Sequence, residues 1–248
     1  MLRELQAAGM AALQFPHALL RAGCGSAHYV AERNAHYPVL LVHGYAGTAS
    51  VWAPLRSALA GAGFGHIVSR DYNSFAVDPV AVSAELTRQA LRAAAAAGAP
   101  GVHLIGHSLG GLIVRSALAA SPELSRQAGG AVTIASPHRG ISLARIAPGH
   151  CARIMHPGHR GARPEAGSPG PVRWLAYYSD GDHVVPAASA RLDDPGYGAV
   201  NLLIPGCGHL TICRDARLIR SLVSELIRTE MPAGPAVPGG AGGELAAA

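Results

Sequence analysis

The chain has 248 residues, 49% of them hydrophobic and 14% charged, with a formal net charge of +5. That composition supplies one large buried core or two small ones and excludes disorder over most of the length. All 20 basic residues are arginine, dense basic runs are absent and only 5% of residues are aromatic, which argues against a nucleic-acid partner.

Residues 1–22 are expected to form an amphipathic helix, part of a helical N-terminal segment over 1–36 that covers the domain. Arg3 followed by Gly9-Met10-Ala11-Ala12-Leu13 has the beginnings of a secretory leader. Gln14, Pro16 and His17 interrupt it, and Arg21 falls where a cleavage region wants small neutral residues. The expected compartment is the cytoplasm, with export as the alternative. No run of 18 apolar residues exists, so no transmembrane helix is expected.

Val39-Leu40-Leu41-Val42-His43 is apolar without alternation, the pattern of a parallel strand covered on both faces. Gly44 to Gly47 is a loop, and Thr48 or Ser50 is expected to cap a helix running to about Ala60. Ile67-Val68-Ser69 is the next strand. Asp78-Pro79 opens a long helix to Ala97, aspartate as cap and proline in the first turn, and Gly98 stops it. Val102 to Ile105 is a strand, Leu109 to Ala120 a helix, and Ala131 to Ile134 another strand. From Ile141 to Pro171 the pattern weakens into a short irregular flap, and the stretch Arg139 to Arg173 holds six arginines against one glutamate. It is expected to be a solvated flap, with weak contact to an anionic membrane surface as the alternative. Val172 to Tyr178 and Val200 to Ile204 are the last strands, Asp215 to Arg228 is the closing helix, and 231–248 reads as a disordered Pro, Gly and Ala tail.

Strands alternating with helices predict an α/β fold, a mostly parallel sheet with helices on both faces, over residues 37–230. In such sheets ligands bind beyond the carboxyl ends of the strands. The polar clusters His43-Gly44, Ser108, Ser136 to Gly140, Asp180 to Asp182 and His209 all follow strands, which gives them one shared address.

Within that address, Gly106-His107-Ser108-Leu109-Gly110 fits the nucleophile-elbow pattern G-x-S-x-G between a strand and a helix. A serine hydroxyl needs a base with a pKa near neutrality, and the imidazole needs an acid to fix its tautomer. His209, in a small-residue loop, is the expected base. Asp182 is the favoured acid, with Asp180 expected to cap the following turn. The backbone amides of Tyr45 and Leu109 are the expected oxyanion donors, and His43, Gly44 and His107 are expected to line the substrate site. His150, His156 and His159 read as surface histidines; no metal ligand set accompanies them. Cys24, Cys151, Cys207 and Cys213 lack metal or scaffold spacing. Cys207 and Cys213 are near enough in sequence to pair, but free thiols are preferred.

Five segments in order resemble the α/β-hydrolases, and more narrowly the bacterial lipase and esterase group that includes triacylglycerol lipases. They are Val39 to Gly47, Gly106 to Gly111, Ala135 to Gly140, Asp182 to Pro186 and Gly208-His209-Leu210. Ser136-Pro137-His138-Arg139-Gly140 is similar to the Thr-Pro-His-x-Gly of lipases. The resemblance implies Ser108 as nucleophile, Asp182 as acid, His209 as base and the Tyr45 and Leu109 amides as oxyanion donors. It also implies a small-molecule ester or lipid substrate and neither cofactor nor metal. The same residues would serve an acyltransferase or a thioesterase, and a binding protein on a hydrolase fold is the third reading. Oligomeric state leaves no signal in the sequence.

Overall fold

A computed structural model describes residues 26–30 (as backbone), 36–159, 170 and 172–230. Seven strands form one sheet in the order β1-β3-β2-β4-β5-β6-β7. They are β1 (Ser26–Val30), β2 (Val39–Val42), β3 (His66–Arg70), β4 (Val102–His107), β5 (Ala128–Ile134), β6 (Arg173–Tyr178) and β7 (Val200–Leu203). Strands β2 to β7 are parallel, as expected for the α/β-hydrolase fold.

β1 departs from expectation. It runs antiparallel to β3 within a segment expected to be helical over 1–36. The outer edge of β3 presents unpaired backbone groups, and five extended residues satisfy them. The helix expected over 1–22, Cys24 and the tail over 231–248 lie outside the described residues.

The continuous apolar runs form strands because both faces are covered. Leu40 and Val42 enter one core, with Leu86 and Ala90 of helix α2 (Pro79–Ala97) and Leu112 and Ile113 of α3 (Leu109–Ala120). Val39 and Leu41 enter the other, with Leu55 and Leu59 of α1 (Ala53–Gly61) and Leu218, Leu222 and Leu226 of the C-terminal helix (Ala216–Glu230). That last triplet recurs every fourth residue, so one narrow stripe of the helix is buried. Two short helices complete the set, α4 (Pro122–Gln127) and α5 (Ala187–Ala190), so the C-terminal helix is α6. No helix among the described residues is long and apolar enough to cross a membrane.

Helix boundaries follow local chemistry in part. Asp78 accepts the Val80 amide at 2.9 Å and Gly98 ends α2 at φ +60°. The cap expected from Thr48 or Ser50 is absent. Their hydroxyls pair with each other at 2.7 Å, and the Ala49 amide is instead taken by Asp71 from the loop after β3. A carboxylate brought in from another strand outcompetes the local hydroxyls because it carries full charge.

The chain steps from β2 outward to β3 and then back across to β4. The connections therefore diverge between β2 and β4, and a crevice opens there at the carboxyl ends. The loops leaving these two strands carry Gly44 and Ser108.

Candidate active site

Ser108 sits at φ +53°, ψ −122°, between the end of β4 and the first turn of α3. This is a strained conformation for a residue with a side chain, and it projects the hydroxyl away from the sheet. Glycine is required around it because the strand and helix cross almost in contact. A Cβ on Gly106 would lie 2.3 Å from the Gly110 carbonyl carbon, and one on Gly110 would lie 2.1 Å from the Val42 oxygen. Gly111 is equally constrained, with Ser136 Oγ 2.0 Å from its would-be Cβ. The sequence pattern marked the first two and missed the third. Among the described residues only Ala46, Ser108 and Ala135 are non-glycine residues at positive φ, and each follows a strand end around the crevice.

Three side chains from three loops meet here. The Ser108 hydroxyl donates to His209 Nε2 at 3.0 Å. His209 Nδ1–H donates to Asp182 Oδ2 at 2.8 Å. Asp182 Oδ1 accepts the Val184 and Val185 amides at 2.8 and 2.9 Å, so both carboxylate oxygens are engaged. Burial works against the charge on Asp182, but the His209 hydrogen bond and charge and these two amides outweigh it and hold its pKa below the usual carboxylate value. The arrangement can pass a proton from the serine to the imidazole while a fixed carboxylate faces the developing positive charge.

Asp180 does not cap the turn after it. Its carboxylate accepts the Gly206 amide at 2.7 Å, and Ser179 Oγ accepts the Cys207 amide at 2.9 Å. Together they fasten the His209 loop to the end of β6. Neither role could be read from the sequence, because both partners lie about one element further along the chain.

Gly44 comes closest to the serine: a Cβ there would sit 3.0 Å from Ser108 Cβ. Tyr45 follows it, and neither the Tyr45 nor the Leu109 amide has an acceptor among the described residues. Leu109 opens α3, where the first amides have no partner inside the helix. The site therefore has two unclaimed donors, one on the residue after the serine and one on the residue after Gly44.

His43 and His107 were expected to meet substrate, and the structure commits both rings elsewhere. His43 is fully buried; its Nδ1–H donates to Gly44 O at 2.8 Å and its Nε2 accepts the Tyr72 amide at 3.2 Å, with the Tyr72 ring stacked 4.3 Å away. It shapes the loop before Tyr45 from below. His107 is 3% exposed and donates from Nε2 to the His209 carbonyl at 2.9 Å. Burial and the nearby His209 push its pKa down to about 3, so it is neutral at physiological pH. Both residues stand at the ends of central strands and their rings are buried against neighbouring loops, which is why these imidazoles bind backbone.

A second buried set lies under the elbow. Arg115 of α3 donates to His138 Nδ1 at 2.9 Å, and His138 Nε2–H donates to Thr133 Oγ1 at 3.0 Å. It joins the nucleophile helix to the loop after β5. Cys151, Cys207 and Cys213 are buried free thiols, and burial raises the Cys207 pKa to about 11. No three His, Cys, Asp or Glu side chains among the described residues are grouped to hold a metal ion.

The family model for palmitoyl protein thioesterases matches residues 38–180. Triacylglycerol lipases of Pseudarthrobacter phenanthrenivorans and Burkholderia plantarii are each 36% identical over 124 residues, 47% of this chain and 37% and 33% of theirs. The chain thus spans about a third of the length of these curated relatives. Among solved structures, a mature Bacillus licheniformis lipase superposes with a TM-score of 0.66 at 16% identity, over 82% of this chain and 97% of that one. An esterase of Thermogutta terrifontis gives 0.60 at 15% identity, over 84% and 100%. At such identities the likeness is one of fold.

Proposed function

The chain belongs to the palmitoyl protein thioesterase family of α/β-hydrolases, and from that premise we propose that it hydrolyses acyl esters or thioesters through a covalent acyl-enzyme on Ser108. The observation that carries this reading is the unbroken hydrogen-bonded series Ser108–His209–Asp182 at the strained elbow.

Ser108 Oγ attacks the acyl carbon while His209 Nε2 takes its proton. Asp182 holds the Nδ1–H tautomer and faces the imidazolium. The negative oxygen of the tetrahedral intermediate lies toward the Tyr45 and Leu109 amides, the latter at the positive end of α3. His209 then delivers the proton to the departing alkoxide or thiolate. A water enters, gives a proton to His209 and attacks the acyl carbon; collapse releases the carboxylic acid and returns the proton to Ser108. The atoms balance as ester plus water giving acid plus alcohol or thiol. The names of the relatives favour esters and the family model favours thioesters, and the same three residues perform both reactions.

The test is labelling by a fluorophosphonate, with Ser108→Ala alongside, followed by p-nitrophenyl esters from acetate to palmitate and matched thioesters. Labelling and turnover that vanish in Ser108→Ala support the reading. A folded wild type that neither labels nor turns over any of these substrates overturns it and favours a binding protein.

A further inference from the structure

The flap after β5 contains two short 3-10 turns, Ser142–Arg145 and His150–Met155. Between them opens a cleft of about 370 Å³, lined by Ala144, Arg145, Ala147, Gly149, His150, Ala152, Arg153 and His156. Its ionisable lining consists of two arginines and two histidines, with no carboxylate among the described residues. Seven of the fifteen described arginines have a carboxylate partner, Arg70, Arg139, Arg173 and Arg217 among them. Arg145 and Arg153 have none among the described residues.

The cleft is built into the site's surroundings. Tyr45, whose amide flanks Ser108, donates its hydroxyl to Pro148 O at 2.5 Å, and the neighbours of Pro148 on both sides line the cleft. The His150 amide is bound to Phe75 O at 3.4 Å, Ile141 to Met155 O at 2.8 Å, and Gly149 is held at φ +90° against the Phe75 backbone. These ties fix the flap backbone next to the oxyanion loop.

We infer that this cleft binds a phosphate group carried by the substrate, beside the reacting acyl group. The inference rests on the hydrolase reading above. An acyl ester or thioester bond is itself neutral, so it offers these arginines no counter-charge. A phosphoryl group does: its oxygens accept the forked N–H groups of two guanidiniums and the ring N–H groups of His150 and His156. A carboxylate can also bridge two guanidiniums, as Glu85 and Glu225 do here, but a phosphoryl group brings a third acceptor oxygen and more charge to a lining of four donors. The phosphate could be borne by a soluble thiol leaving group or by a lipid headgroup. Leu143 and Ile146, exposed at 53% and 81% on the same flap, suit the second source.

The test uses the full-length protein, the double variant Arg145→Ser/Arg153→Ser, and a control, Arg92→Ser/Arg220→Ser, that removes the same charge from exposed positions on α2 and α6. Calorimetry with inorganic pyrophosphate comes first, since it needs no turnover. Wild type and control are expected to bind, and the cleft variant to bind at least about tenfold more weakly at about 0.15 M salt. The ratio of kcat/KM for octanoyl-coenzyme A to that for octanoyl-N-acetylcysteamine is measured next. So is partition onto phosphatidylglycerol against phosphatidylcholine vesicles. A preference for the coenzyme A thioester of about tenfold or more that falls to near one in the cleft variant assigns the phosphate to the leaving group. A preference for phosphatidylglycerol lost in the same way assigns it to the headgroup. Absence of pyrophosphate binding, or equal weakening in the control, overturns the cleft site. Pyrophosphate binding lost in the cleft variant, in a wild type that neither labels with the fluorophosphonate nor hydrolyses any of the esters and thioesters, would keep the cleft and overturn the hydrolase reading instead.

Discussion

His107 holds His209 by its backbone: the His107 ring donates to the His209 carbonyl at 2.9 Å, and the two imidazoles lie 4.8 Å apart. The neighbour of His107 in the chain, Ser108, holds the same residue by its side chain at 3.0 Å. The elbow therefore grips the base at two points one residue apart. The first grip fixes where the imidazole starts from, and the second is the bond through which a proton would pass.

His107 is therefore a positioning residue, and His107→Phe should lower kcat about tenfold or more while KM changes by less than about twofold. His107→Gln, which returns an N–H donor, should recover most of the loss. If Phe and Gln behave alike, the hydrogen bond to the His209 carbonyl has no part in holding the base.

The two aspartates of the β6 loop should separate cleanly. Asp182→Asn keeps the shape but removes the charge opposite the imidazolium, and kcat should fall by roughly three to four orders of magnitude. Asp180→Ala frees the Gly206 amide and loosens the loop, at a cost of about tenfold. A larger loss from Asp180→Ala than from Asp182→Asn would reverse the assignment.

Backbone donors escape side-chain mutation, but Gly44 offers a handle on the oxyanion loop. A methyl group there lies 3.0 Å from Ser108 Cβ and 3.1 Å from His107 Nδ1, so the loop carrying the Tyr45 amide must shift by a few tenths of an ångström. Gly44→Ala should reduce kcat by about 10- to 100-fold, short of the ~100- to 1000-fold for outright removal of such a donor. Thermal unfolding should stay within about 2 °C of wild type. Unchanged turnover would mean that this loop does not approach the reacting oxygen.

Glycines of equal look in the sequence should differ in stability. Gly110→Ala drives a methyl into the Val42 carbonyl at 2.1 Å and should cost about 3 kcal/mol or prevent folding. Gly61→Ala meets nothing within 4 Å in the last turn of α1 and should stabilise by about 0.5–1 kcal/mol. Paired melting curves decide it, and equal shifts would refute the close crossing of β4, α3 and β2.

Acid sensitivity has a named source at the other end of the sheet. Glu230 accepts from His36 Nδ1 at 2.7 Å and from the Tyr37 amide and His103 Nε2 at 2.8 Å each. Burial opposes its charge, but the hydrogen bonds from His103, His36 and Tyr37 prevail and hold its pKa below 4.5. A carboxylate with a lowered folded pKa contributes stability that is complete above its unfolded value and is lost as pH falls through the folded one. Glu230→Gln should therefore melt lower at neutral pH and show a flatter decline below about pH 4.5. Melting curves of the two proteins that stay parallel down to about pH 3 would contradict this.

The legible parts of the chain were those where one short segment states its own constraint. Val39 to Val42 is apolar on both faces because helices cover both. Asp78-Pro79 and Gly98 mark the ends of α2 by local backbone chemistry. Gly106-x-Ser108-x-Gly110 reports a crossing so close that only hydrogen fits. The favoured acid, Asp182, is the aspartate bonded to His209. What stayed hidden depends on partners distant in sequence. Asp71, over 20 residues away, takes the Ala49 amide that opens the 3-10 turn Ala49–Trp52 ahead of α1, in place of Thr48 and Ser50. Gly111 is fixed by Ser136, and the rings of His43 and His107 serve backbone atoms that their own neighbourhoods do not reveal. β1 has too few residues to show a period, and only the open edge of β3 explains it.

Glu230 also decides which way the molecule faces when it is attached to something. Its partners His36, Tyr37 and His103 lie where β2 and β4 begin, whereas Ser108, Asp182 and His209 follow strand ends. β1 is reversed, so Ser26 pairs with Arg70 at the carboxyl end of β3. The two ends of the fold thus leave by opposite rims of the sheet. A carrier fused or immobilised after Glu230 leaves the reacting face outward, and one joined ahead of Ser26 stands at its margin.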